Sequence, residues 1–204
     1  MTSPSPRNST IVRTTTFSPT HCRPRLREDR GPRAVVVRPL DRAGAGAAVD
    51  AVFAGLSPRS RYLRFHSPVP RLPATVRQRL VDVDGRRQAA VVATVCGTPV
   101  GIARVIGDGD GAADVAVAVV DAWQRRGVGR ELLTALAALA EEIGYRELRG
   151  SILPENVAMR GLAARVLPWA RPWFDGDTVQ FAAPIGPAAW TVTHEDLLAD
   201  LVRR

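Results

Sequence analysis

The sequence contains no lysine, only two cysteines and few aromatic residues. Cys22 and Cys96 lie far apart and form no disulfide framework, and His21-Cys22 lacks the spaced partners of a metal site. No run approaches the roughly 18 apolar residues of a membrane-spanning helix. These absences predict a reduced, cytoplasmic protein that has no metal site and does not enter a membrane.

The net charge of +8 is unevenly distributed along the chain. Residues 1–33 hold seven arginines against Glu28 and Asp29, which leaves +3 for the remainder. That segment is rich in Ser, Thr and Pro and poor in apolar residues, so we expect residues 1–33 to be a disordered tail. A nucleic-acid surface on the folded part is therefore not expected, and binding of nucleic acid by the tail alone is left as an alternative hypothesis.

A possible phosphate-binding segment runs from residue 113 to residue 143. An apolar β-branched run typical of a buried strand leads into a glycine-containing basic loop, and apolar residues then repeat at the helical period. The first turn of such a helix offers unpaired backbone N–H groups and the positive end of the helix dipole. Gly127 and Gly129 permit close approach of an anion, and the arginines at 125, 126 and 130 add positive charge.

The rest of the chain alternates strand and helix patterns and predicts an α/β (α+β) fold. Strands are expected at residues 34–38, 88–95, 99–106, 147–152, 169–174 and 178–183. Helices are expected after Asp41, from Ser57-Pro58 to Phe65, at 76–83, after Pro154-Glu155-Asn156, and from Thr193 onward. Gly107–Gly111 is predicted to be a turn rather than a calcium loop, because Val119 occupies the twelfth position counted from Asp108.

The loop Gln124–Gly129 matches the pattern Q-x-x-G-x-G and resembles the GNAT superfamily of acyl-CoA-dependent N-acetyltransferases. The resemblance implies a GNAT fold with a mixed central sheet of about six to seven strands flanked by helices. Acetyl-CoA would lie in a cleft beside the central strand. Residues 34–185 would form this domain, and residues 186–204 a C-terminal extension with an amphipathic helix. The bias toward Arg, Ala and Gly without Lys is typical of a high-GC bacterial gene.

The same resemblance implies roles for particular residues. The backbones of Val117 and Val119 would pair with the pantetheine arm of the cofactor. Asn156 corresponds to an asparagine that contacts the cofactor arm in the family. The pyrophosphate would be bound by the loop and the helix start, namely Gln124, Arg125, Arg126, Gly127, Val128, Gly129 and Arg130.

Asp114 is the candidate general base. It is the only carboxylate in an otherwise apolar strand and lies ten residues before Gln124. Relatives of the bacterial protein-lysine acetyltransferase type, which Leu56–Phe65 also resembles, carry a glutamate base there; the shorter aspartate would act through a water. The alternative is that Asp114 merely occupies an exposed strand start. Ala163 stands where many members carry a tyrosine acid, so the thiolate would leave unaided or be protonated by water.

The resemblance therefore implies acetyl transfer from acetyl-CoA to a primary amine, on a protein lysine or a small molecule. A non-catalytic acyl-CoA-binding sensor or scaffold with a degenerate GNAT site is the alternative. No metal, membrane or nucleic-acid partner is expected. The sequence indicates neither the acceptor nor the oligomeric state.

Because no lysine is present, these 204 residues offer no side-chain amine for autoacetylation. We expect mass spectrometry after incubation with acetyl-CoA to find acetylation at the N-terminal amine at most. Detection of an internal acetylated amine would contradict this prediction.

Overall fold

The computed structural model describes residues 34–186. The predicted tail with His21-Cys22 and the predicted C-terminal helix lie outside these residues. Within the described part, no helix combines the length and apolar character needed to cross a membrane.

A seven-stranded mixed sheet forms the centre of the described region, as predicted, with the order β1-β2-β3-β4-β5-β7-β6. The strands are β1 (Val36–Pro39), β2 (Gln88–Val95), β3 (Thr98–Gly107), β4 (Ala112–Val119), β5 (Glu147–Ile152), β6 (Arg171–Asp175) and β7 (Thr178–Pro184). Every neighbouring pair is antiparallel except β4 and β5, which run parallel. The closing hairpin is confirmed, and its second strand, β7, lies between β5 and β6.

Within residues 34–186, five α-helices flank this sheet. They are α1 (Arg42–Ala54), α2 (Pro58–Phe65), α3 (Ala74–Val81), α4 (Val128–Ile143) and α5 (Val157–Val166). The predicted caps are confirmed, because the Asp41 carboxylate accepts from Gly44 N at 2.7 Å and the Ser57 hydroxyl accepts from Ser60 N at 3.2 Å. Helix α3 begins two residues earlier than predicted, after Pro73, whose side chain provides no cap.

The two faces of the sheet carry separate apolar layers. Successive residues of β2 alternate between them, with Val91 packed in the layer beneath α4 and Val92 in the layer beneath α1. Helix α4 contributes the largest fully buried side chains of its layer, Leu132, Leu133 and Leu136. This amphipathic face fixes the start of α4 beside the end of β4.

Hydrogen bonds attach the α1–α2 corner to the end of β4. Asp121, in the 3₁₀ turn Asp121–Trp123, donates its N–H to Gly55 O at 3.1 Å, and its carboxylate accepts from Ser57 N at 3.2 Å. Gln124 Nε2 donates to Ser60 Oγ at 3.2 Å. Helix α2 is thereby held over the C-terminal half of the central strand.

The Asp121 contacts make part of the stability pH-dependent. Burial raises the pKa of Asp121, but the hydrogen bonds from Ser57 and Ser60 outweigh it and lower the pKa below its ordinary value. A lowered folded-state pKa gives stability that is present above the unfolded value and is lost as the pH falls through the folded value. At pH 7 we expect the free energy of unfolding of the wild type to exceed that of Asp121→Asn by less than about 1 kcal/mol, because the site is exposed. Urea unfolding at pH 7 and pH 3 checks this; a difference independent of pH would contradict it.

Candidate functional site

The central strand β4 loses its partner on one side halfway along its length. Its antiparallel pairing with β3 continues to Val119, whereas its parallel pairing with β5 stops at Asp114, opposite Arg149. Beyond this fork the two strands diverge, and a cleft of about 1440 Å³ opens between them.

The backbone of Val117 faces this cleft. Val120 N donates to Val100 O at 2.9 Å and Asp108 N donates to Ala112 O at 3.1 Å, so the even-numbered residues of β4 direct their polar groups toward β3. The odd-numbered residues consequently direct theirs toward the β5 side. Within residues 34–186, neither group of Val117 has a strand partner there. Such an edge is suited to pairing with an extended ligand that carries amide groups.

The loop after β4 places the start of α4 at the mouth of the cleft. Gln124 Nε2 donates to Val119 O at 3.0 Å, which anchors the loop to the strand end. Gly127 adopts φ 85° as the N-cap of α4, a conformation that favours glycine, and its carbonyl accepts from Arg130 N and Glu131 N. The N–H groups of Val128 and Gly129 have no carbonyl within the helix to bind and are available to an anion.

The structure brings most of the predicted cofactor residues to the cleft wall. Those that line it are Val117, Val119, Gln124, Arg125, Gly127, Gly129, Arg130 and Asn156. The side chains of Arg126 and Val128 lie elsewhere: the guanidinium of Arg126 lies 5.1 Å from the Trp123 ring centroid, and Val128 is 1% exposed in the core. Only the backbone of Val128 faces the helix entrance.

Gly129 has a packing reason of its own. A Cβ at this position would lie 3.3 Å from Leu162 Cδ2 on α5. The glycine therefore allows α4 and α5 to approach closely, independently of any bound anion.

The two polar atoms of the Asn156 side chain, Oδ1 and Nδ2, have different surroundings. Its Oδ1 accepts from Met159 N at 3.1 Å and caps α5, while no hydrogen bond within residues 34–186 occupies its Nδ2. The residue lines the cleft opposite β4. The amide nitrogen is thus available to an acceptor group on a ligand.

Asp114 lies at the fork, exposed and lining the cleft. Arg149, the residue opposite Asp114 on β5, forms ion pairs with Glu147 at 2.6 Å and with Asp108 at 3.0 Å. In the described part of the chain, the Asp114 carboxylate makes no hydrogen bond or ion pair. Its charge acts on Arg149, and its oxygens are accessible to a molecule in the cleft.

Beyond the predicted site residues, six further ionisable residues border the cleft: Arg59, Arg64, His66, Asp121, Glu155 and Arg165. His66 ends α2 at φ 55°. Partial burial, and then the positive charge of Arg64, lower the pKa of His66, whereas Glu155 acts in the opposite direction. The Pro154-Glu155-Asn156 sequence signalled a helix start but not the position of Glu155.

No tyrosine lines the cleft in the described residues. Ala163 is 4% exposed within the core, and the Tyr145 hydroxyl donates to Arg86 O at 3.0 Å. Tyr62 on α2 is half-buried outside the cleft lining. Another tyrosine of the described residues therefore does not replace the tyrosine acid that many family members carry at the position of Ala163.

The sequence and the fold are similar to those of known proteins. Acetyltransferase Pat of Mycolicibacterium smegmatis is 31% identical over 152 residues, which are 72% of this chain and 44% of Pat. The chain thus spans less than half the length of this curated relative. The GNAT domain of S. lividans PAT matches with a TM-score of 0.67 at 28% identity, over 73% of this chain and 89% of that one.

A third structure, yncA of Salmonella typhimurium with acetyl-CoA, matches with a TM-score of 0.53 at 21% identity, over 74% of this chain and 93% of yncA. This likeness shows the fold. The family model described as "Acetyltransferase (GNAT) family" matches residues 57–167, from the cap of α2 to the end of α5. The chain therefore belongs to the GNAT family of acetyltransferases.

Proposed function

We propose that this GNAT acetyltransferase transfers the acetyl group of acetyl-CoA to a primary amine, with Asp114 as the general base. The observation that carries the proposal is the one-sided edge of β4, which runs from the free Asp114 carboxylate to the N-terminus of α4. Amide-pairing groups and an anion site lie at its far end, and a proton acceptor lies at its fork.

The residues present fit the cofactor. The unpaired backbone groups of Val117, with the N–H of Val119, would pair with the amides of the pantetheine arm. The first N–H groups of α4, with Arg125 and Arg130, would bind the pyrophosphate. That yncA was solved with acetyl-CoA is consistent with this assignment. The bound cofactor would supply the acetyl group as a thioester.

The chain's own contribution to chemistry is deprotonation of the acceptor. An alkylamine has a pKa of about 10.4 and is protonated at neutral pH, so a base must take a proton before nitrogen can attack. Asp114 would accept this proton through a water, because its side chain is short. With Ala163 in place of a tyrosine, the departing thiolate would be protonated by water.

A second candidate is a non-catalytic acyl-CoA sensor. The buried Ala163 favours it, because no tyrosine acid reaches the cleft from the described residues. The uncommitted carboxylate of Asp114 opposes it. The two candidates differ in whether free CoA is released. The same measurement, made with several acceptors, distinguishes a protein lysine from a small amine as the acceptor.

Replacing Asp114 by Asn should lower turnover about 10²- to 10⁴-fold, because the cleft loses its proton acceptor while keeping its shape. Release of CoA thiol against a panel of amines and lysine-containing proteins measures this. Asp110→Asn is the matched control, since its exposed carboxylate lies in the turn before β4 and outside the cleft.

Undiminished turnover in Asp114→Asn would reject the base assignment and direct attention to Glu155. Acetyl-CoA binding by the wild type without turnover on any acceptor would favour the sensor. Absence of binding would reject both candidates.

The two ends of Asn156 can be tested separately. Asn156→Asp keeps an N-cap acceptor but replaces Nδ2 by oxygen, so we expect normal stability and weaker acetyl-CoA binding. Asn156→Ala should lose about 1 kcal/mol of stability in addition. Urea unfolding and calorimetric titration with acetyl-CoA measure the two effects. If Asn156→Asp binds the cofactor normally, the residue is only a cap.

A further inference from the structure

A small cavity lies on the α1 face of the sheet, next to the cleft. Its volume is about 40 Å³, and most of its wall is apolar, formed by side chains that include Leu40, Val49, Phe53, Phe65, Ile102 and Ala118. Two arginines, Arg64 and Arg104, also line it. Arg64 lines the cleft as well, as do Leu56, Phe65 and Ala118, so the two spaces adjoin.

Arg104 is an unusually enclosed cation. It lies within β3 and is 4% exposed, and its buried Nε has no hydrogen-bond partner within residues 34–186. Its Nη2 makes only long contacts, 3.3 Å to Arg79 O and 3.4 Å to Gln88 Oε1. The Gln88 amide is better placed with its nitrogen toward the carbonyls of Asp82 and Arg79, which removes the second contact.

The carboxylate whose charge acts on Arg104, that of Asp82, already forms an ion pair with another arginine. Asp82 raises the pKa of Arg104 but less than burial lowers it, and the Asp82 carboxylate pairs with Arg42 at 2.6 Å. Burial of an arginine without a partner anion is costly, because the interior replaces little of the hydration that the cation loses.

Arg64 adds a second positive charge to the same cavity. The residue is half-buried, yet its guanidinium lies deep enough that burial, and then the charge of Arg104, lower its pKa to about 10. It makes no hydrogen bond or ion pair within residues 34–186, and its Cζ lies 5.1 Å from the centroid of the Phe65 ring. Arg61 on the same helix donates to Pro70 O and Phe53 O, although its Nε, like that of Arg104, is buried without a hydrogen-bond partner in the described residues.

We propose that Arg64 and Arg104 form a carboxylate-binding subsite, and that the carboxylate belongs to the amine acceptor. Two guanidinium groups facing an apolar cavity match the charge and the planar shape of a carboxylate. A volume of about 40 Å³ holds roughly three water-sized groups, which suits the two oxygens and carbon of a carboxylate. The subsite deepens the proposed function and rests on it for the identity of the bound molecule.

The sheet places this subsite close to the proposed base. Arg104 is opposite Ala116, so Asp114 is its diagonal neighbour on the same face, with the two Cα atoms roughly 7–8 Å apart. The guanidinium of Arg104 itself extends toward Arg79 O and Gln88. The small side chains of Ala116 and Ala118 leave the space between the strand and α2 open. An acceptor with an amine at Asp114 and a carboxylate at the arginines would be a small amino acid.

The first arm of the test measures acetyl transfer to matched acceptors with the 204-residue protein. Amino acids are compared with their amides, for example β-alanine with β-alaninamide. We expect kcat/KM to favour the acid about tenfold or more, because a charge-assisted contact is lost in the amide. In Arg64→Met and Arg104→Met this ratio should fall toward one. Arg87→Met is the control, since that arginine is exposed and lines neither space.

The second arm measures anion binding without catalysis. Acetate, compared with acetamide, should raise the melting temperature of the wild type and of Arg87→Met but not of Arg64→Met or Arg104→Met. Acetate stabilisation that requires the arginines, without a preference for acids over amides among turned-over acceptors, would show a site for free anions and overturn the acceptor assignment. Absence of any acetate effect in the wild type would overturn the subsite itself.

The two arms also separate this inference from the proposed function. If no acceptor of any kind is acetylated while acetate stabilisation depends on both arginines, the amine-acetylation proposal and the acceptor assignment fail but the anion site stands. If amides and lysine-containing proteins are acetylated while amino acids are not, acetylation stands and the carboxylate subsite for the acceptor is rejected.

Discussion

The unequal pairing of β4 is the constraint on which the rest of the site depends. Three residues of β4 pair with β5, but seven pair with β3, so the strand is interior at its start and an edge at its end. Backbone groups that water or a ligand must satisfy are thereby exposed within a sheet that is otherwise closed at this point. Asp114 is the last residue before this change, which places a carboxylate at the apex of the cleft.

A second consequence is that one side chain, that of Gln124, forms hydrogen bonds to both sides of the cleft. Gln124 bonds to the strand end through Val119 O and to α2 through Ser60 Oγ. The loop suited to phosphate and the helix that carries Arg64 are therefore positioned by the same side chain. A disturbance of Gln124 affects both the cofactor side and the acceptor side.

Local signals predicted most of the architecture. The caps at Asp41 and Ser57, the helical period of α4 and the glycine turns depend on neighbours within a few residues, so one sequence suffices to find them. The Q-x-x-G-x-G loop is equally local. The boundaries differ by one or two residues where no side-chain cap operates, as at the start of α3 after Pro73.

Features that depend on distant packing were not predictable. Arg104 appears in the sequence as one polar residue inside an apolar strand, and only the packing of α1, α2 and α3 encloses it. The sequence predicts that Gly129 serves an anion, yet its close approach to α5 depends on Leu162, 33 residues later in the chain. Arg126 and Val128 share the loop motif but lie outside the cleft, because the loop alternates its side chains between solvent, core and cleft.

The bond from Gln124 to Val119 O also limits the length of the open edge. An exposed strand edge invites pairing with another protein chain, which leads to association of sheets. Here the side-chain amide of Gln124 occupies the last carbonyl of β4, so the open edge ends at Val119, five residues after Asp114. A short arm with two amides can pair there, whereas a polypeptide strand would gain too few hydrogen bonds to add to the sheet. This interior edge is thus open to a short ligand without being a template for another strand.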